Sequence, residues 1–253
     1  SKMFITSGMR ADWTTVAVRT GGPGAAGVSL LAIERDAPGF TRTELKKMGW
    51  WASDTAELHF DDCRVPAANL IGAEGQAFPL IMRNFNGERL TLAASACGAA
   101  QACLEDAVDW ARNRKTFGQP LIGHQVIRHK LVDMVERIEA TRALLDDLAA
   151  RLDDTPSPQP SPRRGEGADP PSPARGRGAG GEGGSLIAQT AMAKNTAART
   201  MQFCADAAVQ ILGGSGYMRG VRVERIYREV KVMMIGGGAE EILKDLAARQ
   251  LGF

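Results

Sequence analysis

The sequence predicts an α+β fold in which a partial antiparallel β domain is followed by an antiparallel four-helix bundle. Three observations predict it. Short β-rich runs separated by turn clusters occupy roughly the first seventy residues, the periodicity turns helical from about Ala77 and stays so, and one long segment carries a single apolar seam.

The β runs are 3–6, 14–19, 28–34 and 56–60, with clusters such as "TGGPGAAG" between them, the pattern of strands joined by tight turns. They define a domain over 1–73. It reads as half of a small β domain, because "SKMFITSG" enters a turn with no lead-in, as though the chain began inside a domain. Residues 74–253 form the predicted helical domain. Its clearest helix runs from about His124 to Leu152, where Ile127, Leu131, Met134, Ile138, Thr141, Leu145, Leu148 and Leu152 recur at steps of four and three. That spacing makes one face apolar and suits packing at a shallow angle against partner helices. Segments 77–112 and 185–212 are rich in Ala, which permits close approach, and a last helix is predicted over 239–250. The stretch 155–184 interrupts the bundle. It holds seven of the twelve prolines and no aliphatic residue larger than Ala, so it cannot bury enough surface to offset its ordering entropy and is predicted to be a disordered insert.

With 253 residues, 44% of them apolar, the chain can bury a real core. Its 31 basic and 29 acidic residues are interspersed, which argues against nucleic acid as a partner. No run approaches the ~18 apolar residues of a membrane span, and the N-terminus has no basic-then-apolar signal pattern. Four cysteines without a C-x-x-C pair and three histidines give no metal constellation. Reduced core thiols suit a cytoplasmic protein.

Three local patterns can carry chemistry. "MMIGGGAEEIL" (233–243) sets three glycines before a helix. Such a loop is either a tight helix-capping turn or a set of backbone N–H groups at a positive dipole end, suited to an oxyanion or a phosphate. "NFNGERLTLAAS" (84–95) holds an acid–base pair, Glu88 and Arg89, which in isolation is a solvated helix face. Arg114 follows a predicted helix, where it serves either the helix dipole or an anionic ligand.

Taken in order, "KMFITSG" (2–8), "KMGWWASDTAELHFDDCRVPAANLIG" (47–72), "RKTFGQPL" (114–121), "AVQILGGSGY" (208–217) and "YREVKVMMIGGGAEEI" (227–242) resemble the patterns of the acyl-CoA dehydrogenases, flavoproteins that desaturate acyl thioesters. The resemblance covers nearly the whole chain outside the insert. It implies a C-terminal part of such an enzyme, using FAD to convert an acyl-CoA to its trans-2-enoyl product. Family members with the catalytic glutamate in the glycine loop carry it where this chain has Gly237. The isovaleryl-CoA and long-chain type place it on an earlier helix before an arginine, which Glu88 and Arg89 match. The resemblance therefore implies Glu88 as base, with hydride passing to flavin N5. Arg89 is expected to orient other groups.

The remaining implied positions are these. Phe4, Ile5 and Thr6 lie beside the flavin ring; Arg114, Phe117 and Gln125 hold its nucleotide part. Gln210, Gly213 and Gly214 reach a flavin bound by a neighbouring subunit. Ala239, Glu240 and Glu241 lie at the flavin edge and helix start. Asn86, Gly87, Arg89, Gly237 and Gly238 line the acyl-CoA site. The resemblance also implies a homodimer or homotetramer, and an electron-transfer flavoprotein as electron acceptor. Two rival readings remain: a truncated, non-catalytic fragment or structural subunit, and a flavin oxidase or monooxygenase on the same fold.

Overall fold

A computed structural model describes residues 1–153 and 182–253, and the chain divides into two compact units, 1–87 and 88–253. Most of the predicted insert lies outside the described residues.

In the first unit, strands β1 (Lys2–Thr6), β2 (Trp13–Arg19), β3 (Val28–Glu34), β4 (Phe40–Glu44), β5 (Thr55–Phe60) and β6 (Leu70–Ile71) form two three-stranded antiparallel sheets, ordered β1-β5-β4 and β2-β3-β6. Alternation buries one face of each. Val16, Ile33, Phe40, Ala56 and Leu58 close one core between the sheets, with Phe60 stacked on Phe40 at 4.7 Å. Strand β4, "FTRTE", was not among the predicted runs; its Phe40 is buried while Thr41, Thr43 and Glu44 are exposed.

Helix α1 (Ala77–Asn113) begins in this unit, with Ala77 buried, and continues into the second from Glu88. The second unit adds α2 (Gln125–Asp153), α3 (Glu182–Leu212), α4 (Arg222–Ile235) and α5 (Glu240–Leu251), and a short hairpin of β7 (Lys115–Thr116) and β8 (Gln119–Pro120). Helix α3 is central and packs on α2, α4 and α5. Its buried Ala188, Ala191, Ala197, Ala205 and Ala208 let those helices come close. Helix α1 is tied to α4 by Arg222 Nε donating to Asp106 Oδ2 at 2.9 Å, and to α2 by Arg142 Nη2 donating to Gln101 Oε1 at 3.2 Å. On α2 the predicted seam from Leu131 to Leu148 is buried, and Thr141 shares a 2.8 Å hydrogen bond with Thr200 of α3. The α+β class stands. Helix α4 is an element the sequence reading did not separate, although its buried Val223, Ile226, Val230 and Met233 follow steps of three, four and three. Helix α3 starts at Glu182, inside the predicted end of the insert.

Candidate functional site

Helix α4 stops where Gly236 N–H donates to Val232 O at 2.7 Å, and the chain crosses to α5 through Gly237 (φ 69°) and Gly238 (φ 115°). These backbone angles favour glycine. A Cβ on Gly237 would sit 2.7 Å from Leu92 Cδ1, and one on Gly238 would sit 2.9 Å from Leu243 Cδ2. The glycines thus have an internal reason, the leucines beneath them, in keeping with the tight helix-capping turn that the sequence left open beside a ligand-binding loop.

The loop is polarised by what holds it. Arg89 Nε donates to Gly237 O at 3.0 Å. Lys194 Nζ donates to Met234 O at 3.0 Å and to Gly238 O at 2.8 Å. Asn195 Nδ2 donates to Glu240 O at 3.1 Å, and Ala239 O receives Leu243 N–H at 3.0 Å. All three side chains are buried, with Lys194 only 1% exposed. In a trans peptide the C=O and N–H point in opposite directions, so carbonyls drawn onto buried cations turn the following N–H groups the other way. The N–H groups of Gly237, Gly238 and Ala239 have no backbone acceptor among the described residues. Burial pushes the Arg89 guanidinium below its ordinary range, against the pull of neighbouring Glu88. Burial likewise lowers the Lys194 ammonium to about 8, with Glu240 opposing and Arg89 adding to the shift.

Glu88 lies on the exposed side of α1, one residue before buried Arg89. Asn86, half-buried, and Gly87, exposed, occupy the preceding turn of the same helix. Glu240 and Glu241 open α5, where acids complement the helix dipole. Glu240 is clasped by Arg199 and by Lys244 Nζ at 2.7 Å; these hydrogen bonds, Arg199 first, hold its carboxyl down at about 2.

A second place in this unit is a cavity of about 510 Å³ lined by Arg114, Trp110, Thr116, Gly213, Gly214 and Ser215, among others. Sequence segments a hundred residues apart thus face one space, and Arg114 and the Gly213–Gly214 pair can serve one ligand. The hairpin beside it turns through Phe117 (φ 49°) and Gly118 (φ 81°), two left-handed residues as a two-residue type I′ turn requires. Asn-Gly is the preferred pair there, so Phe117 is strained, and it is 97% exposed. His124, which the sequence reading passed over, pins this hairpin by its Nε2 to Thr116 Oγ1 at 3.1 Å and its Nδ1 to Gln119 Nε2 at 3.2 Å. Gln125 follows as the first residue of α2. Gln210 opens instead onto a separate cavity of about 550 Å³, with Tyr217, Tyr227 and Arg219.

In the first unit, Phe4, Ile5 and Thr6 lie on edge strand β1, where the register shifts between Lys2 and Ile5. Phe4 takes φ 62° and is 76% exposed. A bulged edge with an aromatic residue thrown outward is a feature common next to ligand sites. No group of three metal-ligating side chains occurs among the described residues, and no described helix is long and apolar enough to cross a membrane. Cys97, Cys103 and Cys204 are buried, Cys63 is half-buried, and all four are free; burial pushes the Cys103 and Cys204 thiols up to about 12.

Comparison with known proteins places this geometry. Residues 1–63 match the model of the acyl-CoA dehydrogenase middle domain, and 75–166 with 174–252 match that of the acyl-CoA dehydrogenase C-terminal domain. An acyl-CoA dehydrogenase of Bacillus subtilis is 39% identical over 253 residues, covering 99% of this chain and 59% of the relative. The mitochondrial isobutyryl-CoA dehydrogenase of Dictyostelium discoideum is 35% identical over 254 residues, covering 99% and 54%. The crystal structure of an acyl-CoA dehydrogenase from Geobacillus kaustophilus superposes with a TM-score of 0.84 at 32% identity, over 99% of this chain and 60% of that one. The chain therefore spans a little over half the length of the relatives it matches.

Proposed function

The chain belongs to the acyl-CoA dehydrogenase family, and on that premise we propose that it forms the catalytic part of an FAD-dependent enzyme that desaturates an acyl-CoA thioester between Cα and Cβ. The observation that carries this reading is the glycine loop. It has no acid, its carbonyls are tied inward to Arg89 and Lys194, and Glu88 sits next to Arg89 on the facing helix.

Each residue then has a chemical task. The Glu88 carboxylate takes the weakly acidic α-proton. The N–H groups of Gly237 and Gly238 donate to the thioester oxygen, stabilising the charge that develops there as the proton leaves. Arg89 keeps out of the proton transfer because its guanidinium is engaged with the loop. For the cofactor, a cavity combining a guanidinium, an indole and a side-chain-free backbone fits a nucleotide diphosphate, and Arg114 is the residue that would hold it. Phe117 would pack on the same molecule. Bound FAD supplies the hydride acceptor that no side chain can provide. An electron-transfer flavoprotein as oxidant and a homodimeric or homotetrameric assembly belong to the same proposal.

The test is Glu88→Gln in the FAD-loaded protein. Acyl-CoA should still bind, within about twofold, while anaerobic bleaching of the flavin falls by at least about a hundredfold. Undiminished bleaching removes Glu88 from the mechanism.

A further inference from the structure

We propose that Lys194 is a positioning residue for this site: its ammonium clamps both ends of the glycine loop and so fixes the direction of the N–H groups that receive the thioester oxygen. The inference rests on the reading of the loop as the thioester site.

Nothing in the sequence around Lys194, "AMAKNTAA", announces a role, yet the side chain runs through the core of the second unit to reach the loop. One nitrogen holds Met234 O, in the last turn of α4, and Gly238 O, just before α5. Ile235, Gly236 and Gly237 lie between the two anchored residues, and Arg89 fixes Gly237 O from a third helix. Arg89 on Gly237 O turns the Gly238 N–H outward, and the two Lys194 anchors, at Met234 O and Gly238 O, limit how far the backbone that carries the Gly237 and Gly238 N–H groups can swing. Glycines at positive φ have no side chain to restrict them, so in this loop the restriction comes from the donors. Lys194 does not itself approach the ligand. A cation that donates to one carbonyl on each side of a loop has an organising task that an apolar core residue could not perform, since a methyl group would leave two acceptors unpaired.

The experiment measures the ratio of two dissociation constants in the FAD-loaded protein, for acetyl-CoA and for its thioether counterpart S-ethyl-CoA. An acetyl group has no β-carbon, so no desaturation intervenes, and the pair differs only in the carbonyl. Wild type should prefer the thioester by about tenfold, the value of a well-aligned hydrogen bond in a desolvated site. Lys194→Met should bring the ratio to within about twofold of unity with S-ethyl-CoA affinity unchanged. Asn195→Ala, which removes a buried donor to Glu240 O on the same helix, should leave the ratio near the wild-type value, and that separates alignment from general destabilisation. If Lys194→Met is not recovered folded, Lys194→Gln, which keeps an uncharged amide donor one bond shorter, should give an intermediate ratio. A wild-type ratio preserved in the Lys194 variants overturns the clamp while leaving the thioester site standing. Wild-type protein that binds both ligands equally, or neither, overturns both.

Discussion

Lys194 also makes a sharp prediction about stability. Its pKa falls from an ordinary 10.5 to about 8 in the folded chain. Between those values the unfolded chain carries a proton that the folded chain has shed, so stability rises with pH across that window and the burial penalty is felt fully below it. A shift of this size corresponds to roughly 3 kcal/mol, and integration from about pH 7 to about pH 9.5 assigns about 2 kcal/mol of gain to this one group. Lys194→Met lacks the gain. Near pH 7 the variant loses two charge-assisted hydrogen bonds but escapes the burial penalty, so its deficit there should be small, on the order of 1 kcal/mol. Near pH 9.5 the deficit should widen by about 2 kcal/mol. Urea unfolding of both proteins at the two pH values, at constant ionic strength, reads the difference directly, and other titrating groups cancel between them. A deficit that stays the same at both pH values would refute the reasoning, because it would mean that the ammonium is not buried as the structure has it.

Two further outcomes are expected. Glu240 titrates at about 2, held down by Arg199 and Lys244, so its contribution is complete above about 4.5 and is lost as pH falls toward about 2. Glu240→Gln should lower stability by about 1 kcal/mol near neutrality, discounted for the half-exposed Arg199, with the gap to wild type narrowing below about pH 4.5 in thermal unfolding; a gap independent of pH would dismiss the ion pair as its source. Phe117→Asn should raise stability by about 1 kcal/mol, because Asn-Gly suits the type I′ turn, while FAD is retained less tightly on gel filtration; unchanged retention would exclude Phe117 from the cofactor site.

The α2 seam was readable because eight residues from Ile127 to Leu152 repeat one spacing, and all eight are buried or half-buried. The signal for α4 was equally present in Val223, Ile226, Val230 and Met233, but short length and the charged residues between them masked it. Glu88, Arg89 and the glycine loop were legible only through family resemblance, since an acid–base pair on a helix has no spacing of its own to mark it. The structure adds that Arg89 and the loop meet. Lys194 was missed because a lone lysine reads as solvated; the available clue was its place among Ala191, Ala197 and Ala198, on a stripe of small buried residues where a cation has no ordinary reason to be. His124 was missed because its partners, Thr116 and Gln119, come together only when the hairpin folds.

The loop's inward carbonyls have a consequence for how such a site changes over time. Its donors belong to the backbone, so the letters at 236–239 carry little of its chemistry beyond permission for the fold of the chain. What must persist are Arg89 and Lys194, two buried side chains drawn from two helices. A survey of mutations confined to exposed cleft residues would pass over them, and a damaging substitution at one of them would be filed as a folding defect, although the harm reaches function through the direction of a peptide bond.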